Sequence, residues 1–319
     1  MRKRHVPMRI CALIFIALFY AFRSDFSINE TQKDVKSNEI QKIELGRILF
    51  FDPILSLNGK RSCASCHRPQ KAFTDHRIVS KGFVFAENLD KNAPTLINVS
   101  DQKSFFHDGR FNRLEDVFEA VITNKKEFNF SYEGILERLN SNTEYLNLLK
   151  EIDPQKTAFK RADIDENLKN YLKILRGYDS VFDKIKRGEL EDKEGIMTAF
   201  FVFSDKAKCT NCHAQPSFNH ANLTFDIQGK TVKVPSLRNV FLTEPYMSDG
   251  RMLDLKAVFD EDFHRDFLKK NKIELTEKDK SDILFFLKNL NDAPQLDVAE
   301  PKKLPLAKGF ENRRIGGDY

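Results

Sequence analysis

The 319-residue sequence contains no tryptophan and only five cysteines, and it has no large excess of either charge. The formal net charge of +5 depends on five basic residues before residue 24, a stretch without acidic residues, so the rest of the chain is neutral overall. A neutral chain argues against nucleic acid as a partner, since nucleic-acid-binding proteins carry basic patches. The 29 phenylalanines indicate instead a core filled by a side chain that has no polar group to satisfy.

Four of the five cysteines lie in two short motifs: residues 63–67 read Cys-Ala-Ser-Cys-His and residues 209–213 read Cys-Thr-Asn-Cys-His. Each motif is typical of c-type haem attachment, because the two-residue spacing lets both thiols reach one edge of a porphyrin. A lone Cys-x-x-Cys could be a redox dithiol or half of a zinc site, but a zinc site would leave both histidines unused. We predict two covalently bound haem c groups, with thioether bonds at Cys63, Cys66, Cys209 and Cys212 and proximal iron ligands at His67 and His213.

The N-terminus is basic and then apolar over residues 10–22, a run too short for a comfortable membrane span. This pattern predicts a secretory signal peptide over residues 1–23, with a retained anchor through residues 10–22 as the alternative. Cys11 lies at the start of the apolar run, which argues against a lipoprotein. Haem attachment to such motifs takes place outside the bacterial cytoplasm, so we predict a periplasmic protein.

Apolar residues recur with helical spacing along most of the chain and strand signals are sparse, which predicts a mainly α fold. The two halves share one plan: a helix, a haem motif, a proline-containing loop, an Asp-Gly-Arg turn and a further helix. This weak repeat predicts two cytochrome c-like haem domains packed with an interface between them. The expected divisions are a linker at 24–38, an N-terminal haem domain at 39–187, a C-terminal haem domain at 188–295 and a polar tail at 296–319.

Several further motifs occur in a fixed order between residues 40 and 290. They are Gly-Arg-x-Leu-Phe-Phe-Asp at 46–52, the first haem region at 63–75, Asn-Ala-Pro-Thr at 92–95, Phe-x-Asp-Gly-Arg at 106–110, Glu127, Val-Pro-Ser-Leu-Arg-Asn at 234–239 and Pro-Tyr-Met-x-Asp-Gly at 245–250. In these motifs the chain resembles the bacterial dihaem cytochrome c peroxidase family. That family also contains the methylamine-utilisation enzyme that oxidises tryptophans in a partner protein.

The resemblance implies that the first haem binds and cleaves hydrogen peroxide, while the second collects electrons from a small donor such as a c-type cytochrome. Glu127 falls at the position of the family's catalytic glutamate, although by itself it reads as a solvated surface residue. The resemblance also implies a calcium ion held by the Asn92 side chain and the main-chain oxygens of Thr243 and Pro245. Without the family, Asn92 is only a turn residue before a proline. Whether the protein forms a homodimer stays open.

The chain departs from the family pattern around the first haem. Phe83 occupies the position of the usual distal histidine, and phenylalanine cannot bind iron. We therefore predict that the first haem has an open coordination position, so that peroxide can bind without prior reduction of the protein. His76 is a nearby candidate for a substitute ligand, although the simpler interpretation is that His76 is an exposed loop residue. His107 replaces the tryptophan expected between the haems, and Val117 replaces a glutamine expected beside the active site.

The distal ligand of the second haem also departs from the family, where it is methionine or tyrosine. The equivalent position falls at Glu261 or Asp262. Nearby candidates are His264, which we favour, and then Met252, with a surface histidine or a packing methionine as the simpler interpretations. Met247 lies further upstream, and His220 is interpreted as a loop residue.

Three functions are compatible with these residues. The first is peroxide reduction with electrons from a reduced cytochrome, the second is oxidation of a protein or organic substrate on the same scaffold, and the third is electron transport without catalysis. Glu127 discriminates the first from the third, since a simple carrier has no use for an acid/base beside an open haem.

Overall fold

The computed structural model describes residues 30–220, 223–227, 229–292 and 300–318. The chain divides into two compact units, Met1–Ile40 and Gln41–Tyr319, and both haem motifs belong to the second. The predicted signal peptide at 1–23 and the alternative anchor at 10–22 lie outside the described residues. Among the described helices, none combines the length and the apolar character needed to cross a bilayer.

Helices dominate the structure, which confirms the predicted mainly α fold. They are α1 (Glu30–Phe51), α2 (Leu114–Thr123), α3 (Tyr132–Asn140), α4 (Thr143–Ile152), α5 (Arg161–Lys173), α6 (Val181–Lys186), α7 (Ile196–Phe201), α8 (Asp262–Lys270) and α9 (Glu277–Lys288). Strands β1 (Thr224–Ile227) and β2 (Lys230–Lys233) pair antiparallel, with Phe225 opposite Val232, and form the one sheet of the described ranges. Helix α1 begins at Glu30, so part of the stretch predicted as a linker at 24–38 is helical.

Local sequence accounts for several helix ends. Helix α1 stops at Phe51 because Asp52 turns the chain, accepting a hydrogen bond from the amide of Ile54 at 2.8 Å, before a proline. Helix α9 begins after Thr276, whose hydroxyl and backbone form a reciprocal capping box with Asp279. Apolar spacing in the sequence predicts one helix over residues 255–268. The structure has instead a tight helical turn, Leu255–Asp260, an extended Glu261, and then α8.

The described side chains form two separate apolar cores. The first runs through residues 45–175, and the second through residues 182–290. The second is rich in phenylalanine, as composition predicted: the ring of Phe286 packs against those of Phe182 and Phe203, with centroids 5.1 and 4.9 Å away. Phe182 belongs to this second core, so α6 packs there although the predicted boundary lay at residue 188.

The C-terminal residues 300–318, here called the C-terminal strap, return to the first core. The sequence analysis predicted a polar tail at 296–319. The strap instead buries Ala307 to 5 % exposure and packs Phe310 and Ile315 against the first core. Its apolar residues follow neither a helical nor a strand period, so composition alone does not distinguish the strap from a solvated tail.

Candidate haem sites

The first haem motif is a single tight turn of helix, Cys63–Ser65, that continues into Cys66 and His67. The amides of Cys66 and His67 both donate to the carbonyl of Cys63, at 3.2 and 2.9 Å. The amide of Ser62 donates to the hydroxyl of Ser65 at 3.0 Å and closes the start of the turn. The turn therefore places both thiols and the imidazole within five residues of rigid backbone, as haem attachment requires.

His67 is held in the orientation expected of an iron ligand. Its Nδ1 lies 3.0 Å from the carbonyl oxygen of Phe73, which can only accept a hydrogen bond, so Nδ1 carries the proton and Nε2 is the atom available to iron. Burial lowers the pKa of His67, which favours the neutral imidazole that binds metals.

The second motif repeats this geometry. The turn Cys209–Asn211 leads to His213, whose amide donates to the carbonyl of Cys209 at 2.8 Å. His213 Nδ1 lies 3.2 Å from the carbonyl oxygen of Phe218 and 3.1 Å from that of Pro235. Burial and the nearby charge of His264 lower the pKa of His213 to about 4, so the imidazole is neutral.

The cysteines fit haem attachment better than a metal–thiolate site. Burial raises the pKa of Cys63 to about 12, that of Cys66 to about 11 and that of Cys209 to about 12, so these side chains are thiols at neutral pH. Within the part of the chain that the structure describes, no cluster of three or more His, Cys, Asp or Glu side chains could hold a metal ion. Cys63, Cys66, Cys209 and Cys212 therefore do not converge on one four-cysteine cluster within the described residues.

Glu127 lies beside the first motif. The Nδ2 of Asn124 donates to its Oε1 at 2.7 Å, and burial raises the pKa of the Glu127 carboxyl although two arginines oppose this shift. The negative charge of Glu127 in turn contributes to the raised pKa of Cys63 and of Cys66. A half-buried carboxyl within electrostatic range of both thiols differs from the solvated residue that its local sequence suggests.

One of those arginines, Arg61, was not identified by the sequence analysis. It is 2 % exposed, and its Nη2 lies 3.2 Å from Cys66 Sγ and 2.8 Å from the carbonyl of Lys81, while Nη1 donates to the carbonyl of Gly82. Its position two residues before the motif was the available signal. Arg61 joins the haem turn to the loop that carries residue 83.

Phe83 lies beside the loop that carries Glu127. The amide of Phe83 donates to the carbonyl of Lys126 at 2.7 Å, so the two loops run side by side. A cavity of about 330 Å³ opens here. Its lining residues are Asn58, Lys60, Phe83, Val84, Phe85 and Asp318.

His76 is directed away from this cavity. Its Nε2 lies 2.9 Å from the carbonyl oxygen of Leu242, and its Nδ1 lies 3.7 Å from Glu244 Oε1. The ring is half-buried in contacts with the loop that precedes the second Asp-Gly-Arg turn. Nε2 of His76 is therefore bonded to residue 242, and Nδ1 lies near Glu244.

His107 is also a buried link between distant segments. Its Nε2 lies 2.9 Å from the carbonyl oxygen of Asn92, and its own carbonyl accepts a hydrogen bond from the amide of Lys233 at 2.8 Å. Burial lowers the pKa of His107, so a neutral aromatic ring occupies the place of the expected tryptophan. Val117 is half-buried against the first core and contributes only packing.

Two of the three predicted calcium ligands meet in the structure. Asn92 Nδ2 donates to the carbonyl oxygens of Pro245 and Met247 at 3.2 and 2.8 Å. A calcium ion binds oxygen, so the Asn92 carboxamide would have to turn its Oδ1 toward the Pro245 carbonyl. Apart from that rotation, the donor set of one amide and main-chain carbonyls is chemically suited to a hard cation.

The segment expected to supply the distal ligand of the second haem contains His264 on α8 and Glu261, the N-cap residue of that helix. Glu261 is 5 % exposed, and its Oε2 lies 3.6 Å from His264 Nδ1. The charge of His264 acts on His213, so the two imidazoles lie within electrostatic range of each other. The backbone of Met252 pairs with that of Tyr246, at 2.7 and 3.4 Å, in the preceding turn. His220 is half-buried in the loop after the second motif.

The C-terminal strap completes the first site. The hydroxyl of Ser65 donates to the carbonyl of Gly316 at 2.9 Å, and the amide of Asp318 donates to the carbonyl of Lys60 at 2.9 Å. Gly317 has φ +87°, and a Cβ there would lie 2.4 Å from Ser65 Oγ. The strap therefore contacts the haem turn directly, in a way that needs glycine.

Comparison with known proteins agrees with this geometry. Residues 40–191 match the family model described as di-haem cytochrome c peroxidase. The methylamine utilization protein MauG of Methylorubrum extorquens is 28% identical over 305 residues, covering 86% of this chain and 85% of that protein. The cytochrome c551 peroxidase of Nitrosomonas europaea is 28% identical over 347 residues, covering 98% and 97%.

A solved structure of a MauG-like protein associated with microbial copper homeostasis superposes with a TM-score of 0.70 at 27% identity. The match covers 82% of this chain and 91% of that one. The ordered motifs, the two haem turns and these matches have one explanation: the chain belongs to the di-haem cytochrome c peroxidase family, an enzymatic family of oxidoreductases that bind haem c.

Proposed function

We propose that this protein reduces hydrogen peroxide to water with two electrons from a reduced c-type cytochrome or a similar small donor. The observation that carries the proposal is that Glu127 lies within electrostatic range of both thiols of the first haem turn, in a loop whose Lys126 carbonyl bonds to the amide of Phe83. The proposal assigns the proton transfer to this carboxyl, whose pKa is raised by burial, and the neighbouring loop carries phenylalanine rather than an iron ligand. When bound, the haems supply an iron for the oxidant and the one-electron steps that bring the donor's electrons to it.

Glu127 moves the proton in this proposal. Its carboxylate takes a proton from one peroxide oxygen and returns it to the other as the O–O bond breaks. Two electrons from the donor and two protons from solvent complete the formation of two waters. Because Asn124 occupies Oε1, we assign the exchange to Oε2. Burial brings the pKa of Glu127 closer to neutral pH, which favours a group that both accepts and donates a proton.

The proposal includes the iron and calcium ligands. His67 and His213 are the proximal ligands, and His264 is the second axial ligand of the second haem, ahead of Met252. Calcium at Asn92, Thr243 and Pro245 would connect segments of both halves. The exported, periplasmic location and the use of a cytochrome donor belong to the same proposal.

The test is peroxide-dependent oxidation of a reduced c-type cytochrome by the purified, fully oxidised dihaem protein. Glu127→Gln should lower turnover on the order of 10²- to 10⁴-fold, because the amide cannot accept the proton. Glu133→Gln, an exposed acid in the first turn of α3, is the matched control and should be silent. Equal turnover in both variants would contradict the role assigned to Glu127, whereas no turnover in the unmodified protein would favour an electron carrier.

The same assay tests the open first haem. With Phe83 at the distal position and His76 bonded to residue 242, the fully oxidised protein should turn over immediately, without pre-reduction. A lag that brief pre-reduction removes would show that another ligand closes the site.

A second candidate is oxidation of a protein or organic substrate, favoured by the likeness to MauG across 86% of the chain. Peroxide consumption in the absence of any cytochrome oxidation would move the conclusion to this function. Against it, Glu261 and Asp262 stand where the tryptophan-oxidising relative carries tyrosine.

A further inference from the structure

We infer that Glu261 is a positioning residue for the second haem, which orients His264 and lowers the reduction potential of that haem. The inference rests on the proposed function in one respect, since it takes His264 as the second axial ligand. Glu261 belongs to no haem motif and lies at the point where the expected helix is interrupted.

The interruption places a carboxylate at the start of α8. Glu261 has extended backbone angles, φ −66° and ψ 139°, and its Oε2 accepts a hydrogen bond from the amide of Phe263 at 2.9 Å. This capping contact fixes the side chain against its own helix. His264 follows within the first turn, so the carboxylate and the imidazole lie on the same side of α8.

Glu261 is a buried acid that pairs with an arginine. The side chain is 4% exposed, and its Oε1 accepts from Arg251 Nη2 at 2.9 Å. Arg251 also holds Asp249 at 2.8 Å, so the second Asp-Gly-Arg turn is tied to the N-terminus of α8 through this one carboxylate. Buried acids are rarely retained without a partner; Arg251 is one here, and the other polar side chain near the carboxylate is His264, 3.6 Å away.

His264 Nδ1 points at this carboxylate. The nitrogen is buried and has no hydrogen-bond partner within the described residues, and Glu261 Oε2 is 3.6 Å away. A small rotation of the ring closes this gap to a hydrogen bond. With Nδ1 directed at Glu261, Nε2 is the atom presented to iron, which is the arrangement by which a carboxylate orients a ligating histidine.

The expected effect is on the reduction potential of the second haem. A carboxylate that accepts the Nδ1 proton makes the imidazole a stronger donor and stabilises the oxidised iron, so the potential falls. Glu261→Gln removes the charge and keeps one oxygen, which can accept from the Phe263 amide or from Arg251 but not occupy both carboxylate positions. We expect its reduction equilibrium to shift at least tenfold toward the reduced second haem, which for one electron is about 59 mV.

The experiment is a spectroelectrochemical titration of the dihaem holoprotein, read on the low-spin bands of the second haem. Asp262→Asn is the matched control, because Asp262 is the adjacent acid, is 66% exposed and pairs only with Arg265 in the described contacts. The control should leave the potential unchanged. Arg251→Gln removes the cation that competes for Glu261, so it should shift the potential in the opposite direction to Glu261→Gln.

Two results would show this inference to be wrong, and both are independent of the proposed peroxidase activity. If His264→Ala abolishes the low-spin signal but Glu261→Gln and Arg251→Gln both leave the potential unchanged, Glu261 is only a helix cap and the inference is wrong. If His264→Ala leaves the low-spin signal intact, the axial ligand is another residue and the inference fails with it. Neither result depends on peroxide turnover, which tests the proposed function separately.

Discussion

The ion pair between Asp52 and Arg313 connects the C-terminal strap to the first core. Asp52 is 0% exposed and the Arg313 side chain is 4% exposed. Arg313 Nε donates to Oδ1 at 2.6 Å and Nη2 donates to Oδ2 at 2.8 Å, a two-pronged arrangement. The hydroxyl of Tyr145 and the amide of Ile54 also donate to the same carboxylate.

Arg313→Ala should therefore destabilise the protein strongly. Removal of one partner from a buried pair leaves an uncompensated charge and costs about 3–5 kcal/mol. We expect about 3 kcal/mol, the lower end, because the Tyr145 hydroxyl and the Ile54 amide still solvate Asp52. Such a loss is a large share of the roughly 5–15 kcal/mol by which a typical domain is stable.

The loss should extend to the first haem site. Arg313 precedes Gly316, which accepts the hydrogen bond of Ser65 within the haem turn. A strap released at Arg313 loses this contact as well. The spectrum of the first haem should therefore broaden or shift before that of the second haem as denaturant is added.

The assay is urea unfolding followed by far-ultraviolet circular dichroism, since the chain has no tryptophan to report by fluorescence. Haem absorbance is recorded in the same titration. Arg314→Ala is the matched control, because Arg314 is the neighbouring arginine and is exposed. If the two variants unfold at the same urea concentration, the buried pair contributes nothing and the reasoning is refuted.

Three further predictions concern single positions. Gly317→Ala should lower the stability in thermal unfolding more than Gly309→Ala does. Both glycines have φ above +80°, but only at Gly317 would a Cβ lie within 2.6 Å of other atoms. Equal losses would show that the strap moves to make room for the Cβ. Phe83→His should convert the first haem from high-spin to low-spin in electron paramagnetic resonance and make turnover depend on pre-reduction, and an unchanged spectrum would place residue 83 away from iron. Burial lowers the pKa of Lys233 from 10.5 to about 8, so the unfolded state binds more protons between these pH values and the free energy of unfolding should rise with pH there. Lys233→Met should lack this rise in urea titrations at several pH values, whereas Lys230→Met, exposed in the same hairpin, should keep it.

Local features of this protein could be predicted from its sequence because they depend on residues close together in the chain. The haem turns need five consecutive residues, and the hydrogen bonds that orient His67 and His213 reach only five or six residues onward, apart from the one to Pro235. The capping box of α9 and the end of α1 at Asp52 have the same local character.

The position of Glu127 could be predicted only through the family resemblance. Its neighbours in sequence are asparagine and two lysines, which are typical of an exposed turn. Its burial comes from the segments that surround it, those of Arg61 and Phe83, which are more than 40 residues away in the chain. Nothing in the local pattern reports such contacts.

The interruption at Glu261 shows the limit of periodicity. Apolar spacing over residues 255–268 is helical throughout, so a continuous helix was the reasonable expectation. The tertiary structure places Arg251 where it can pair with Glu261, and a buried carboxylate that caps α8 then ends the preceding turn. A local propensity of a few tenths of a kcal/mol is easily outweighed by such a contact.

The sequence by itself determined most of the helices, their caps, the two haem turns and the phenylalanine at residue 83, because each is a property of a few neighbouring residues. Only the tertiary structure decided that the C-terminal strap packs on the first haem turn, that His76 bonds to residue 242, and that Glu261 faces His264. The strap and His76 contacts join segments about 165 to 250 residues apart, and Glu261 depends on where Arg251 is placed. Contacts of this kind form because burying apolar surface brings those segments together, and no local pattern encodes which segments will meet.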